Sequence, residues 1–157
     1  MDDDKRKEVL RMISYGVYVL TSKNGDDYGS ATVTWVSQAS FDPPMISVCL
    51  KKNSGAYLVV KERKEFILHM LSEEQKRLAS NFFKSASLDG DKINGEKFQL
   101  IDDLPVLLDT PSRIHCSVLE ILENGDHSLF LSEVNKVYLK NKVNPLELRT
   151  TGWSYGG

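Results

Sequence analysis

The chain lacks the short motifs that mark self-contained catalytic or metal sites. Its 157 residues contain two cysteines, Cys49 and Cys116, and no Cys-x-x-Cys pair. A zinc site, a rubredoxin-type iron site and a dithiol redox motif are therefore excluded. No GxGxxG, Walker, HExxH or GxSxG sequence is present. The three histidines, His69, His115 and His127, lie far apart and show no ligand spacing. The sequence thus carries no autonomous catalytic motif and predicts no metal site.

Long apolar runs and a strong excess of one charge are also absent. No hydrophobic stretch approaches the length of a membrane span, so integral membrane insertion is not expected. The net charge of −2 gives no electrostatic basis for binding nucleic acid. The N-terminus, MDDDKRK, places acids before bases with no following apolar region, which argues against a secretory signal. With 41% hydrophobic and 27% charged residues, we expect one soluble domain over residues 1–157 and a cytoplasmic location.

Residues 29–44 are the most informative part of the chain. Residues 31–36 alternate β-branched and aromatic side chains on two faces, which is typical of a strand. The small polar residues 37–40 follow, with a backbone that a ligand could approach closely. Pro43 and Pro44 then fix φ and remove two amide donors. Residues 45–50 predict a second strand directly after this corner.

The rest of the chain is predicted to be β-rich with a few helices. Further strands are expected over residues 15–21, 66–71, 113–122 and 128–139, with hairpin turns at residues 24–27 and 123–127. Short helices are expected over residues 3–12 and 56–63, and from a capping box at residues 72–75 to about residue 83. Residues 85–103 are expected to form a surface loop. The short strands suggest a closed or half-closed barrel, since closure removes exposed edges.

Most of the cysteines and histidines have an ordinary structural interpretation. Cys49 and Cys116 each fall in a strand and are predicted to be buried free thiols, with a disulfide between them left open. His69 lies in an apolar strand and is predicted to be a satisfied core or interface residue, and His115 to face solvent. His127 differs, because it follows a Gly-Asp turn at a hairpin tip, where a side chain can reach a cleft. It is the candidate functional histidine.

The segment that opens the helix at residues 56–63 has two interpretations. Lys51 and Lys52 precede Asn53 and Ser54, so positive charge and a helix N-terminus meet there. Unpaired amides and the helix dipole make such a place suitable for an anion. The alternative is an ordinary helix capped by Ser54 beside a solvated basic patch.

Taken in order, these elements resemble the flavin reductase-like family, whose members hold FMN or FAD in a split β-barrel. The resemblance rests on residues 16–21, 31–44, 52–54, 74–83 and 125–134, and on Cys116 in a late strand. The ending TGWSYGG is similar to a subgroup of flavoproteins from electron-transfer chains of anaerobes, the high-molecular-weight rubredoxin type. In some of these a rubredoxin domain follows, and no such domain is expected here.

The resemblance implies a role for each matching position. The isoalloxazine ring would contact Thr32, Val33, Thr34 and Trp35, and the ribityl chain or ring edge would lie near Ser37 and Gln38. The phosphate would be held by Lys52, Asn53 and Ser54. Phe83 and Lys84 would border the cofactor from the helix end, across a dimer interface. His127 would sit where nicotinamide or another electron donor stacks. Trp153 and Tyr155 would cover the outer ring face, with simple packing of the tail as their alternative.

The resemblance also implies a function. The leading hypothesis is a homodimeric flavoprotein, mainly β with an FMN-binding split barrel, that transfers hydride from NAD(P)H to flavin. Gln38 does not decide between FMN and FAD, and no feature chooses between NADH and NADPH. The second hypothesis is a non-enzymatic FMN electron-transfer protein that docks to a redox partner such as rubredoxin or an oxygenase or reductase. The third is a cofactor-free structural barrel, since no autonomous catalytic motif is present.

Overall fold

A computed structural model describes all residues, Met1–Gly157. The chain is mainly β with a few short helices, as expected from the sequence. In order, its elements are α1 (Asp3–Leu10), β1 (Tyr18–Asn24), β2 (Asp27–Val33), β3 (Val36–Ser40), β4 (Met45–Lys51), α2 (Gly55–Arg63), β5 (Glu65–Met70), α3 (Lys76–Asn81), β6 (Leu88–Asp89), β7 (Lys92–Ile93), β8 (Glu96–Ile101), β9 (Leu104–Leu107), β10 (Ser112–Leu122), β11 (His127–Leu139) and α4 (Leu148–Thr151).

Seven strands form one antiparallel sheet with the order β2-β1-β5-β10-β11-β4-β3. Its two outermost strands, β2 and β3, are consecutive in the chain and are joined only by Thr34 and Trp35. Two residues span a few ångströms, so the two edges of the sheet must come close together. The sheet is therefore rolled into a barrel that is split between β2 and β3. The connection Thr34-Trp35 lies at this split.

Helix α2 packs across β1 and β2. Ser54 caps it, because its Oγ accepts a hydrogen bond from the backbone N–H of Tyr57 at 3.2 Å. Tyr57 and Val60 are buried in the largest core cluster, which also contains Phe66 and Phe130 from the sheet. A side chain at Gly29 would meet Val59 Cβ at 2.8 Å, so glycine permits this close approach of β2 to the helix. The predicted helix over residues 56–63 is confirmed.

The two predicted hairpins are also confirmed. Strands β1 and β2 pair from Tyr18↔Val33 to Asn24↔Asp27 around a two-residue turn. Strands β10 and β11 pair through ten residue pairs, with bulges near Cys116 and Glu120. The second hairpin brings His127 to the start of β11, opposite Lys51 at the end of β4. This register joins the hairpin tip to the segment that opens α2.

Three sequence predictions are wrong in their details. Residues 72–75 are a turn closed by the Gln75 N–H, which donates to Ser72 O at 2.9 Å, and α3 begins only at Lys76. Of the predicted capping box, the bond from the Ser72 N–H to the Gln75 side chain is formed, at 3.0 Å. The strand predicted over residues 31–36 ends at Val33, and the polar residues 37–40 belong to β3, because the chain changes sheet edge at Thr34-Trp35. The loop predicted over residues 85–103 contains β6, β7 and all of β8. Its Asp-Gly and Asn-Gly dipeptides form hairpin turns within a second, four-stranded sheet with the order β6-β7-β8-β9.

The buried polar groups of the core follow the sequence predictions in part. His69 is fully buried and satisfied, as expected: its Nδ1 lies 3.0 Å from Val19 O, and its Nε2 accepts from the Leu107 N–H at 3.0 Å. Both cysteines are free thiols; Cys116 is buried, and Cys49 is only half-buried. His115 does not face solvent, because its side chain is 12% exposed and its Nε2 lies 3.5 Å from Glu65 Oε1. None of the helices has the length and apolar character that a membrane crossing requires.

Candidate functional site

A cavity of about 520 Å³ opens at the split of the barrel. It lies between the Thr34-Trp35 connection, the end of β4, the end of α3 and the C-terminal tail. We call it the central cavity. Eleven of its 17 lining residues are hydrophobic. The lining comprises Val17, Ala31, Thr32, Val33, Thr34, Trp35, Cys49, Leu50, Lys51, Ser54, Phe82, Phe83, His127, Leu148, Trp153, Ser154 and Tyr155. An apolar cavity with a few convergent polar groups is the usual form of a cofactor site.

The connection at the barrel split carries two unsatisfied polar atoms. Thr34 Oγ1 and Trp35 Nε1 are both buried and have no hydrogen-bond partner. The Trp35 carbonyl is occupied, because it accepts from the Cys49 N–H at 3.0 Å. A buried hydroxyl or indole N–H without a partner costs about 1–3 kcal/mol and calls for an explanation. A polar ligand in the central cavity would supply the missing acceptor or donor.

Thr32 is held differently from Thr34. Its Oγ1 donates to Ala79 O at 2.5 Å, and its backbone N–H donates to Phe82 O at 3.2 Å. Both bonds tie β2 to the end of α3, which brings Phe82 and Phe83 to the cavity wall. The hydroxyl of Thr32 therefore fixes the wall, whereas that of Thr34 has no partner.

The segment before α2 presents one lysine to the cavity and turns the other away. Lys51 lines the central cavity, whereas Lys52 Nζ donates to Glu123 O at 2.5 Å. The backbone N–H of Lys52 also donates to Asp126 O at 2.9 Å, so the loop is fixed against the β10–β11 turn. Asn53 has a left-handed backbone, with φ of 62°, and Ser54 caps α2 at the cavity wall. A helix N-terminus and a lysine thus meet at one end of the cavity, a combination that suits an anion.

The β10–β11 turn places His127 between a carboxylate and a phenol. His127 Nδ1 lies 2.9 Å from Asp126 Oδ1, and its Nε2 lies 2.7 Å from the Tyr155 hydroxyl. The imidazole also packs on Trp35, with ring centroids 4.5 Å apart. The hydrogen bond from His127 lowers the pKa of Asp126, while burial and the charge of Asp126 raise the pKa of Tyr155. The Asp126 carboxylate therefore favours the tautomer in which Nδ1 carries the proton, and Nε2 accepts from Tyr155.

The C-terminal tail lies across the cavity mouth. Trp153 packs edge-on against Phe83 with centroids 4.8 Å apart, and Lys76 Nζ lies 5.3 Å from the Trp153 ring. Tyr155 packs on Trp35 at 5.4 Å. Arg11 Nε donates to Gly156 O at 3.0 Å, which fastens the tail to the end of α1. The tail residues therefore act as a cover that α3, Trp35 and the N-terminal helix hold in place.

The structure gathers nine of the fourteen residues proposed from the sequence around the central cavity. These are Thr32, Val33, Thr34, Trp35, Ser54, Phe83, His127, Trp153 and Tyr155. Five do not line it: Ser37, Gln38, Lys52, Asn53 and Lys84. Ser37 and Gln38 lie on the edge strand β3 and border a separate groove with Met45 and Met70. Their contacts with the ligand, like those of Asn53 and Lys84, stay predictions.

Sequence reasoning overlooked eight lining residues: Val17, Ala31, Cys49, Leu50, Lys51, Phe82, Leu148 and Ser154. A signal existed for Lys51. Side chains alternate along a strand, so Cys49 and Lys51 share one face of β4, and His127 pairs with Lys51. Leu148 and Ser154 belong to the tail region, whose path over the cavity has no local sequence signal.

The chain is similar to one described protein family and to several known proteins. The pattern of the family described as "Flavin reductase like domain" matches residues 10–153. Diflavin flavoprotein A 1 of Synechocystis sp. is 32% identical over 136 residues, covering 85% of this chain and 24% of that protein. An NADH:FMN oxidoreductase of Rhodococcus erythropolis is 30% identical over 134 residues, covering 84% and 68%. A high molecular weight rubredoxin of Moorella thermoacetica is 28% identical over 142 residues, covering 88% and 62%.

The chain spans about a quarter of the length of the diflavin flavoproteins that it matches. Among solved structures, the styrene monooxygenase flavin reductase of Pseudomonas putida S12 superposes with a TM-score of 0.77. That alignment has 24% identity and covers 91% of each chain. It agrees with the split-barrel architecture expected from the sequence.

Proposed function

The chain belongs to the flavin reductase like domain family, which its residues 10–153 match, and on that premise we propose that it is an NAD(P)H-dependent flavin reductase. FMN is held in the central cavity, and a reduced nicotinamide approaches at His127. The NADH:FMN oxidoreductase of Rhodococcus erythropolis supports this choice of cofactor and donor. The observation that carries the proposal is the pair of unsatisfied atoms, Thr34 Oγ1 and Trp35 Nε1, in the wall of an apolar cavity.

The residues present fit FMN at both ends of the molecule. The apolar walls and the flanking aromatic side chains suit a flat ring, and the ring's polar edge offers partners to Thr34 and Trp35. Ser54 stands where the phosphate would lie, with the positive end of the α2 dipole beside it. When bound, FMN supplies a ring that accepts a hydride from a nicotinamide. The protein orients that ring and keeps water from it.

His127 is placed to contact the hydride donor, the nicotinamide. Asp126 fixes its tautomer through Nδ1, so Nε2 is left as the atom that faces a bound molecule once Tyr155 moves aside. In that state Nε2 accepts a hydrogen bond, and the carboxamide N–H of a nicotinamide is a suitable donor. The role of His127 in the proposal is to position the nicotinamide. It does not hold FMN.

The test is anaerobic stopped-flow reduction of the FMN-loaded protein by NADH and by NADPH, with His127→Ala as the variant. We expect the wild type to be reduced and the variant to bind FMN normally but to be reduced roughly ten-fold more slowly, the effect of about one positioned hydrogen bond. Unchanged reduction would make His127 a bystander. Loss of FMN from the variant would make it a cofactor residue. A protein that cannot be loaded with FMN would contradict the proposed function itself.

The proposal includes a homodimer. Phe41 at the proline corner is 91% exposed, and Phe83 beside the cavity is 61% exposed, so large apolar side chains are available for a partner copy. A second copy would also give a function to Ser37, Gln38 and Lys84, which lie outside the central cavity of one chain. Light scattering at micromolar concentration measures this directly, and a monomer with FMN bound would contradict it.

A single domain over residues 1–157 and a cytoplasmic location complete the proposal. Two free thiols, Cys49 and Cys116, are typical of proteins in a reducing compartment. Limited proteolysis of the FMN-loaded protein tests the single domain: one resistant fragment close to full length is expected. Two separate resistant fragments would contradict it.

A non-enzymatic electron carrier is the second candidate. It is favoured by the similarity to the high molecular weight rubredoxin of Moorella thermoacetica. An FMN-loaded protein that neither NADH nor NADPH reduces, but that exchanges electrons with a reduced rubredoxin, would establish this function in place of the first.

A further inference from the structure

A second cavity of about 670 Å³ lies directly beside the central cavity. We call it the α1 cavity, because Arg6 and Leu10 of α1 form one wall and the tail residues Gly156 and Gly157 another. Trp35, Lys51, His127 and Tyr155 line both cavities. These shared residues form a thin partition with His127 and Tyr155 in it. When a molecule from the surface binds at His127, the rest of that molecule can therefore extend into the α1 cavity.

Two basic side chains, Arg6 and Lys51, line the α1 cavity, and Asp126 is the one acidic side chain among the ten lining residues. That carboxylate is already engaged by His127 Nδ1 at 2.9 Å. Arg6 Nη1 lies 3.1 Å from Asp3 in a largely exposed pair one helical turn away, a weak interaction that a stronger anion would replace.

We propose that the α1 cavity binds the diphosphate of the nicotinamide dinucleotide, with Arg6 and Lys51 as its charged contacts. This inference rests on the proposed function. In a dinucleotide the diphosphate follows the nicotinamide after a single ribose. A nicotinamide seated at His127 thus places its diphosphate just beyond the partition, where the two cations stand. An arginine is well suited to this task because its planar fork matches phosphate oxygens.

The experiment compares two hydride donors on the FMN-loaded protein. NADH carries the diphosphate, and 1-benzyl-1,4-dihydronicotinamide carries the same reactive ring without any phosphate. For Arg6→Gln we expect the KM for NADH to rise roughly five- to ten-fold, while the KM for the benzyl compound shifts less than about two-fold. Arg6→Lys, which keeps the charge, should restore most of the affinity for NADH. Added salt should weaken NADH binding more in the wild type than in Arg6→Gln.

Lys5→Gln is the matched control. Lys5 lies on the same helix and carries the same charge, but its side chain is 82% exposed and does not line the cavity. The control should leave the KM for both donors at the wild-type value. Equal KM changes for both donors in Arg6→Gln, or no change for NADH, would overturn the inference while the reductase function stands. Failure of both donors to reduce the wild type would instead contradict the proposed function.

Discussion

The Nε2 atom of His127 lies 2.7 Å from the hydroxyl oxygen of Tyr155, 28 residues further along the chain. This hydrogen bond joins the tip of the β10–β11 hairpin to the C-terminal tail. It occupies the one ring nitrogen of His127 that Asp126 does not engage. A nicotinamide that uses His127 must therefore displace Tyr155 first.

Tyr155→Phe should tighten the binding of NAD(P)H. The variant keeps an aromatic ring against Trp35 but removes the hydrogen bond that holds the tail on His127. A neutral hydrogen bond contributes about 0.5–1.5 kcal/mol, so its loss should lower the dissociation constant of NADH by roughly two- to ten-fold. Stopped-flow reduction at varied NADH concentration measures this constant. A rise in the constant would instead show that the Tyr155 hydroxyl binds the donor.

Thr34→Val should stabilise the empty protein but weaken its binding of FMN. Thr34 Oγ1 is buried without a partner, so an isosteric apolar side chain should stabilise the empty protein by about 1 kcal/mol. If FMN supplies the missing partner, the same substitution should weaken FMN binding by about 1 kcal/mol, roughly five-fold. Urea unfolding and FMN fluorescence titration measure the two quantities.

Thr32→Val is the matched control for this variant. Its hydroxyl is satisfied by Ala79 O, so its removal should destabilise the empty protein. A Thr34→Val protein that is less stable without FMN, or that binds FMN unchanged, would show that the hydroxyl has a partner other than the cofactor.

Ser54→Asp should weaken FMN binding by about 1–3 kcal/mol. Asp remains a good cap for α2, so the helix is retained, but the new charge stands where the phosphate is expected. Ser54→Asn is the matched control, because it keeps the cap without a charge. The prediction fails if the Asp and Asn variants bind FMN equally well at neutral pH. Such a result would place the phosphate away from the start of α2.

The sequence was sufficient to predict β1, β2, β4, β5, β10 and β11, two hairpins and the capped helix, because their signals are local. Short apolar runs indicated β4 and β5, the Asn-Gly dipeptide indicated the turn after β1, and Ser54 indicated the start of α2. The same kind of signal occurs at Asn94-Gly95, within a segment whose sequence predicts a surface loop, and the structure shows a hairpin turn there. An Asn-Gly turn predicts a hairpin only when its flanking residues are recognised as strands, and here the strand before the turn, β7, has only two residues.

The site was predictable only where a residue lies on a predicted element or matches the family pattern. His127 stood out because of its place at a hairpin tip. Lys51 did not, because Lys51 and Lys52 are adjacent in sequence and only the strand register decides which one faces the cavity. The pairing of His127 with Tyr155, and the α1 cavity, depend on how the tail packs across the barrel. Such long-range packing leaves no local pattern in the chain.

His69 should make the protein less stable as the pH falls below about 6.5. Burial lowers the pKa of His69 to about 3, and the nearby Arg113 acts in the same direction, whereas the bond to Val19 O opposes them. In the unfolded chain its pKa returns to about 6.5. Between these two values the unfolded state binds a proton that the folded state does not, so lowering the pH favours unfolding. The loss approaches about 1.4 kcal/mol per pH unit well below pH 6.5, until the native pKa is reached.

The measurement is urea unfolding of the wild type and of His69→Gln between about pH 7.5 and pH 5, a window in which carboxylates contribute little. Glutamine can neither gain this charge nor reproduce both bonds, to Val19 O and from the Leu107 N–H, with the same geometry. The variant should therefore be less stable at pH 7.5. Its stability should nevertheless fall less steeply on acidification, because the other histidines, His115 and His127, are common to both proteins and cancel in the difference. Parallel curves for the two proteins would show that the pKa of His69 is the same in the folded and the unfolded protein, contrary to its burial.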